Sequence, residues 1–231
     1  MNRRCASVML GLFAVGCLLG RVALADTITN GNFGTGTLAG WTIFTTANGT
    51  DGAGLPNVVS FNTTGNSSSD AAHFNVGEVT FDFTQQGGGL FQTINAPVSG
   101  LYTLTADFAS QDDVGKNIDA GTFSILIDGN TVATDDLGSF SMAGQLLKGS
   151  FNETVGLTAG SHVFEAEISR HFLSTGPTTP DEYIDNISLS PNVNKVTLTP
   201  EPSSIALLGT GLLCLVGMAC RGVLFSRHSS K

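Results

Sequence analysis

Leu101-Tyr102-Thr103-Leu104-Thr105-Ala106-Asp107-Phe108 decides how this chain is read. Tyr102, Leu104, Ala106 and Phe108 fall in one phase; Thr103, Thr105 and Asp107 fall in the other. Successive side chains of a strand point to opposite faces, so this alternation predicts a strand with one face in a core and one in water. The pattern recurs on either side. Phe123, Ile125 and Ile127 alternate in the same way, and Phe164, Ala166 and Ile168 oppose Glu165 and Glu167. Tyr183, Asp185, Ile187 and Leu189 predict a closing strand in a single phase. Asp128-Gly129-Asn130 between two such runs predicts a hairpin turn, and Ser99-Gly100 and Ala159-Gly160 mark further turns. No stretch between residues 26 and 199 carries a helical period. The expectation is an all-β fold, an antiparallel β-sandwich of jelly-roll type. Residues 47–70, rich in Gly, Asn, Ser and Thr, read as a long loop, and residues 173–181 with Pro177 and Pro180 as another. Loops on a rigid sandwich are where a binding site is expected.

Composition narrows the function. Charged residues are only 13% of the chain, but hydrophobic residues are 41% and include 15 Phe, which is enough for one packed domain. The net charge is −9. Between residues 26 and 199 the only bases are Lys116, Lys148, Arg170 and Lys195, while every acid except Glu201 lies there. Such a domain repels phosphate backbones, so nucleic acid is excluded as a partner. Cys5, Cys17, Cys214 and Cys220 all lie near the ends, which leaves the middle without a disulfide or a thiolate metal site.

The two ends read as addresses. Residues 1–25 have the order of a secretory signal: Arg3 and Arg4, then the apolar run Val8 to Leu19, then Ala23-Leu24-Ala25. Signal peptidase cleavage between Ala25 and Asp26, after Sec export, is expected; an uncleaved anchor and lipidation at Cys17 are the alternatives. The domain is expected over 26–190 and a linker over 191–199, followed by a tail over 200–231. Ser203 to Cys220 carries no charge and matches a short transmembrane helix. Arg221, Arg227 and Lys231 follow it, which leaves the tail end in the cytoplasm and the domain outside.

Pro200-Glu201-Pro202-Ser203-Ser204, the apolar run from Ile205 and the basic end together resemble the PEP-CTERM sorting signal, a tail also labelled as the C-terminal domain of ice-binding proteins. Thr199 stands where that signal usually has Val, and Gly222-Val223-Leu224-Phe225 dilutes the basic end. The resemblance implies an exosortase as sorting partner, cleavage near Pro200, Glu201 and Pro202, and a bacterium that makes exopolysaccharide. The chain would be held transiently in the inner membrane and end at the outer surface or in the extracellular matrix.

A second resemblance lies in the middle. Asn30-Gly31-Asn32-Phe33 followed by Gly40-Trp41-Thr42 resembles the opening of galactose-binding-like jelly rolls, which include many carbohydrate-binding modules. Leu90 to Ile94 with Gly100 to Leu104 resembles the middle hairpin of that fold, and Tyr183 to Leu189 its closing strand. These folds often carry a structural calcium.

Asp185 is the residue whose chemistry stands out. It shares a phase with apolar neighbours, and a bare buried carboxylate is costly. It therefore either accepts hydrogen bonds from backbone amides near the first strand or ligates a structural calcium. No other cofactor is implied. Trp41 reads as core. With one Trp and two Tyr, platforms for stacking sugars are scarce, and Phe44 and Phe172 are the candidates. The acid pairs Asp112-Asp113, Asp135-Asp136 and Asp181-Glu182 read as solvated surface, because neighbours on a strand point apart. His73, His162 and His171 lack metal-ligand spacing, and no Gly-x-Ser-x-Gly elbow occurs. No catalytic residue is assigned. The expected function is a non-catalytic surface or exopolysaccharide-matrix protein. A carbohydrate-binding module is the alternative, and a glycan hydrolase or lyase comes third.

Overall fold

The structure, a computed structural model, describes residues 27–114, 117–175 and 178–192. The signal with Ala25 and Asp26, the sorting motif Pro200, Glu201 and Pro202, and the apolar run at 203–220 lie outside the described residues. Among the described residues no helix is long and apolar enough to cross a membrane.

The described residues form twelve strands in order: β1 (Thr42–Thr45), β2 (Gly49–Thr50), β3 (Asn57–Phe61), β4 (Ser69–Phe74), β5 (Gly77–Glu78), β6 (Gln86–Ala96), β7 (Gly100–Asp112), β8 (Thr122–Ile127), β9 (Asn130–Asp136), β10 (Gln145–Leu157), β11 (Gly160–Arg170) and β12 (Asp181–Pro191). One sheet runs β1-β6-β11-β8-β9 and the other β10-β7-β12-β4-β3, with β2 and β5 as a small ladder. Every strand pairing is antiparallel. The two five-stranded sheets enclose the core, which is the sandwich expected from the alternation.

The phase of β7 reads directly into that core. Tyr102, Leu104, Ala106 and Phe108 are buried against Phe123, Ile125, Phe164, Ala166 and Ile168 from the facing sheet. Trp41 packs in the same core, stacked on Phe33 at 6.0 Å and edge-on to Phe164 at 6.1 Å. Its indole N–H donates to the Asn30 carbonyl at 3.1 Å, which satisfies the one polar atom that burial would strand. Asp128 and Gly129, both at positive φ, make the two-residue turn between β8 and β9. Asp128 also accepts a 2.7 Å bond from His162 on β11, and this bond holds the Asp128 carboxyl below its ordinary range and raises the imidazole.

Three expectations fail. Residues 47–70 are not one long loop, since β2 and β3 lie within them and β4 starts at Ser69. The runs at 90–94 and 100–104 are not a hairpin. β6 pairs with β1 and β11, and β7 with β10 and β12, so the chain crosses from one sheet to the other between them. The closing strand does not keep one phase. Its register shifts between Asp185 and Ser188, with Asn186 at φ 52°. A bulge moves the side chains after it to the opposite face. Ile184, Ile187 and Leu189 therefore face the core, while Tyr183 packs with Ala71 and Ala109 in a second cluster.

Asp185 pairs with Asp107 and shares the outer face with Tyr183, under the segment that joins β3 and β4. It accepts bonds from Ser69 Oγ at 2.5 Å, Thr63 Oγ1 at 3.4 Å and the Asn186 amide at 2.6 Å. Its partners are thus two hydroxyls and a neighbouring amide, not amides near the first strand. Burial raises its pKa against those bonds. Ca²⁺ takes six to eight oxygens. Both oxygens of Asp185 are already engaged by donors, and the Asn186 side chain binds Asp107 at 2.9 Å, so this set does not fit a calcium ion.

Candidate functional site at one end of the sandwich

The core ends on an ion pair. Arg170 follows Ile168 in the inward phase of β11, and Glu182 precedes Ile184 in the inward phase of β12; both are fully buried. The guanidinium Nε lies 3.8 Å from Glu182 Oε1. Arg170 also donates to the Asp119 carbonyl at 3.0 Å, the Val76 carbonyl at 3.2 Å and Asn117 Oδ1 at 3.1 Å. Glu182 Oε2 accepts the Val76 amide at 3.0 Å. Burial pushes the Glu182 carboxyl well up, and Arg170 pulls it partly back. One buried cation at the end of β11 therefore ties together the segment after β4, the β7–β8 loop and the start of β12.

Above this pair lies a depression of about 280 Å³ lined by Phe83, Gln85, Ile118, Asp119, Thr122, Asp136, His171 and Phe172. Asp119 forms part of its base. It accepts the Gly121 amide at 3.0 Å and the His171 amide at 2.7 Å, with the His171 ring at 3.5 Å. Asp136 accepts the Gly138 amide at 2.9 Å. Gln85 donates to Thr122 Oγ1 at 2.8 Å. The wall is aromatic: Phe83 meets Phe172 at 6.3 Å and Phe81 at 4.3 Å. Phe81 is 46% exposed and Phe83 65%. Phe83 also sits at φ 61°. A bulky side chain at positive φ is strained, and such strain collects at functional positions.

The candidates named from sequence fall in different places. Phe172 lies in the depression, whereas Phe44 packs edge-on to Phe91 at 6.2 Å on the first sheet. Trp41 and Asp185 lie elsewhere, as described above. Glu182 and Asp112 are buried, so the surface reading of their acid pairs fails at those two residues. Phe81 and Phe83 were missed. Their signal was there, because Val79, Phe81 and Phe83 alternate with polar residues, but that pattern imitates a strand. Each of the three histidines also turned out to have an aspartate: His73 with Asp181, His162 with Asp128 and His171 with Asp119.

Besides Glu182, which is fully buried beneath the depression, the carboxyls with raised pKa lie away from it. Asp51, pushed up to about 7 by burial, faces Gly88 beneath the first sheet. Glu165 and Glu167, also raised by burial, stand on β11. Among the described residues no group of three or more His, Cys, Asp and Glu is placed to hold a metal.

No protein-family model matches the chain, and no curated protein matches it. Among solved structures it is similar to a family 61 carbohydrate-binding module in complex with β-1,4-galactotriose, at 15% identity and a TM-score of 0.42 over 71% of this chain and 97% of that one. It is similar to the CBM22-1 xylan-binding domain from Paenibacillus barcinonensis at 10% identity and a TM-score of 0.39, over 74% and 97% of the two chains. It is also similar to a cyclase from Fischerella sp. TAU at 17% identity and a TM-score of 0.41, over 73% and 96%.

Proposed function

We propose that the sandwich is a non-catalytic carbohydrate-binding module that takes a neutral glycan at the aromatic end. In this reading the chain is exported through its N-terminal signal. It is sorted by an exosortase at Pro200-Glu201-Pro202 and works within exopolysaccharide at the cell surface. The observation that carries the binding reading is Phe83. A ring 65% exposed, on a backbone at φ 61°, is costly twice over, in lost burial and in strain. Sugar rings present apolar C–H faces that aromatic rings cover, with polar groups around them to take hydroxyls. Asp136, Gln85 and Thr122 supply those polar groups here.

The acids also set the ligand's charge. Two carboxylates line the depression, so a neutral glycan is favoured over an anionic one. Catalysis is disfavoured because Asp119 spends both oxygens on loop amides and Glu182, the raised carboxyl beneath the depression, is fully buried and does not line it. The test is a glycan array on the purified chain, followed by titration of Phe83→Ala and Phe172→Ala. Each variant should weaken binding about tenfold, as expected for a central aromatic contact. Failure to bind any polymer at high micromolar concentration, or unchanged affinity in both variants, overturns the reading.

A further inference from the structure

We infer that His162 is a proton-operated latch: its imidazolium clasps the β8–β9 turn to the β10–β11 turn, and loss of the ring proton lets the β10–β11 turn go. The ring is buried near the start of β11. Both of its nitrogens face acceptors: Nδ1 lies 2.7 Å from Asp128 Oδ2, and Nε2 lies 2.9 Å from the Thr158 carbonyl. A neutral imidazole carries one N–H, so it serves only one of the two and points a lone pair at the other oxygen. The cation donates to both. The Asp128 bond is the first influence raising the ring's pKa and the Thr158 carbonyl the second, with burial acting against them. Tyr102 on β7 and Glu153 on β10, the ionisable side chains of the other sheet near this end, have no part in it. The strands on either side of β11, β6 and β8, carry no ionisable group.

The two sides of the latch are held unequally. Asp128 is bound to β11 twice more: its amide donates to the Val163 carbonyl and its Oδ1 accepts the Val163 amide, both at 2.9 Å. On the other side the Ala159 amide, next to Thr158, donates to Ser99 Oγ at 2.8 Å in the β6–β7 connection. A carboxylate is a stronger acceptor than a carbonyl. The neutral ring therefore keeps Nδ1–H on Asp128 and turns its Nε2 lone pair on the Thr158 carbonyl. That contact breaks, which loosens Thr158-Ala159 and leaves the β8–β9 turn in place. An imidazole whose folded pKa is raised stabilises fully below its unfolded value and loses that contribution as pH rises through the folded one. Asp128, held below its ordinary range chiefly by the His162 bond, loses its share only as pH falls through its own folded value. The latch is thus closed between those limits and opens at Thr158 on the alkaline side. β11 runs from this end to Arg170, so the aromatic depression lies about 30 Å away along the strand, at about 3.3 Å per residue.

The test is NMR of the imidazole nitrogens of the full chain from pH 5 to 9, with His162→Gln to assign the signal. No glycan is present, so the outcome is independent of the glycan reading. The ring should titrate above the ordinary 6.5, and its neutral form should carry the proton on Nδ1. Exchange of the Ala159 amide, divided by its intrinsic rate, should quicken about threefold or more as the ring deprotonates, while the Val163 amide holds. Asp128→Asn, exposed and at a φ of 52° that Asn tolerates, should bring the midpoint down and remove the step in exchange. A midpoint at or below 6.5, a neutral ring protonated on Nε2, or Ala159 exchange without a step overturns the inference. So does an unchanged midpoint in Asp128→Asn.

Discussion

Replacing Arg170 by Met removes the charge under the aromatic site while keeping most of the side-chain volume. The guanidinium makes three hydrogen bonds, two buried ones to the Asp119 and Val76 carbonyls and a partly buried one to Asn117 Oδ1. At about 1 kcal/mol each they account for about 3 kcal/mol. The variant also leaves Glu182 fully buried without its counter-ion. Breaking one side of a buried pair typically costs about 3–5 kcal/mol in all. In a domain of this size that is about 10 °C of melting temperature.

The loss has a pH signature. Glu182 already sits above its ordinary range through burial, and Arg170 is the main influence pulling it back. Without Arg170 the folded state favours the protonated acid still more. An acid with a raised folded pKa contributes stability at low pH and loses it as pH rises through the window above its unfolded value. The deficit of Arg170→Met should therefore be larger at pH 8 than at pH 5, read as midpoints of urea unfolding. Adding Glu182→Leu should recover part of the loss at pH 8, because a packed apolar pair replaces a stranded charge. A deficit that is equal at both pH values, or below about 1 kcal/mol, would refute the claim that this pair holds the loops.

Asp51→Asn tests the other buried acid. Its carboxyl rises from 3.8 to about 7, so wild-type stability should fall as pH climbs through that window and level off above it. The variant should lose that slope and exceed wild type by about 2 kcal/mol at pH 8 in urea unfolding, roughly half of what the full rise represents at 1.36 kcal/mol per pH unit; an identical slope rejects the assignment. Replacing Pro200, Glu201 and Pro202 by alanines should leave a longer, membrane-held product. An unchanged mature C-terminus by mass spectrometry would reject sorting at that motif.

Much of the sandwich was legible because apolar alternation is a local signal that burial amplifies. β7, β8 and β11 could be read from Tyr102 to Phe108, Phe123 to Ile127 and Phe164 to Ile168, and the β8–β9 turn from Asp128-Gly129. What failed was non-local. Whether β6 and β7 pair or part depends on which partners sit beside them, and no residue in either strand states it. The bulge at Asn186 depends on a single positive φ, yet it reverses the meaning of every earlier position in β12. It moved Asp185 out of the core phase, where the carboxyl is still buried but accepts bonds from Ser69, Thr63 and the Asn186 amide. The site was half legible. Phe172 was found because a loop was expected there, while Phe81 and Phe83 hid inside a strand-like pattern. Arg170 and Glu182 could not be paired from sequence, because they come together only when two sheets close.

Among the described residues three clusters of aromatic rings lie outside the main core, and their geometry separates them. Tyr183 stacks on Phe61 with ring centroids 3.5 Å apart and planes 4° apart, and on His73 at 4.9 Å and 14°. Its ring area is spent on protein neighbours, in the small cluster with Ala71 and Ala109. Phe44 and Phe91 meet edge-on, and both are half-buried on the first sheet. At the sandwich end Phe81 meets Phe83 at 4.3 Å and 54°, Phe172 lies 6.3–6.4 Å from both, and Phe81 and Phe83 stay exposed. A core cluster gains by hiding its rings, and the first two do so. The third keeps its rings in water over a backbone that Gly or Asn would occupy with less strain. Beneath it a buried Arg170–Glu182 pair, weak evidence for stability in itself, holds Val76 before β5 and the β7–β8 loop. The strain at Phe83 is unfavourable to the isolated fold, and in the proposed reading a glycan contact on the exposed ring offsets it.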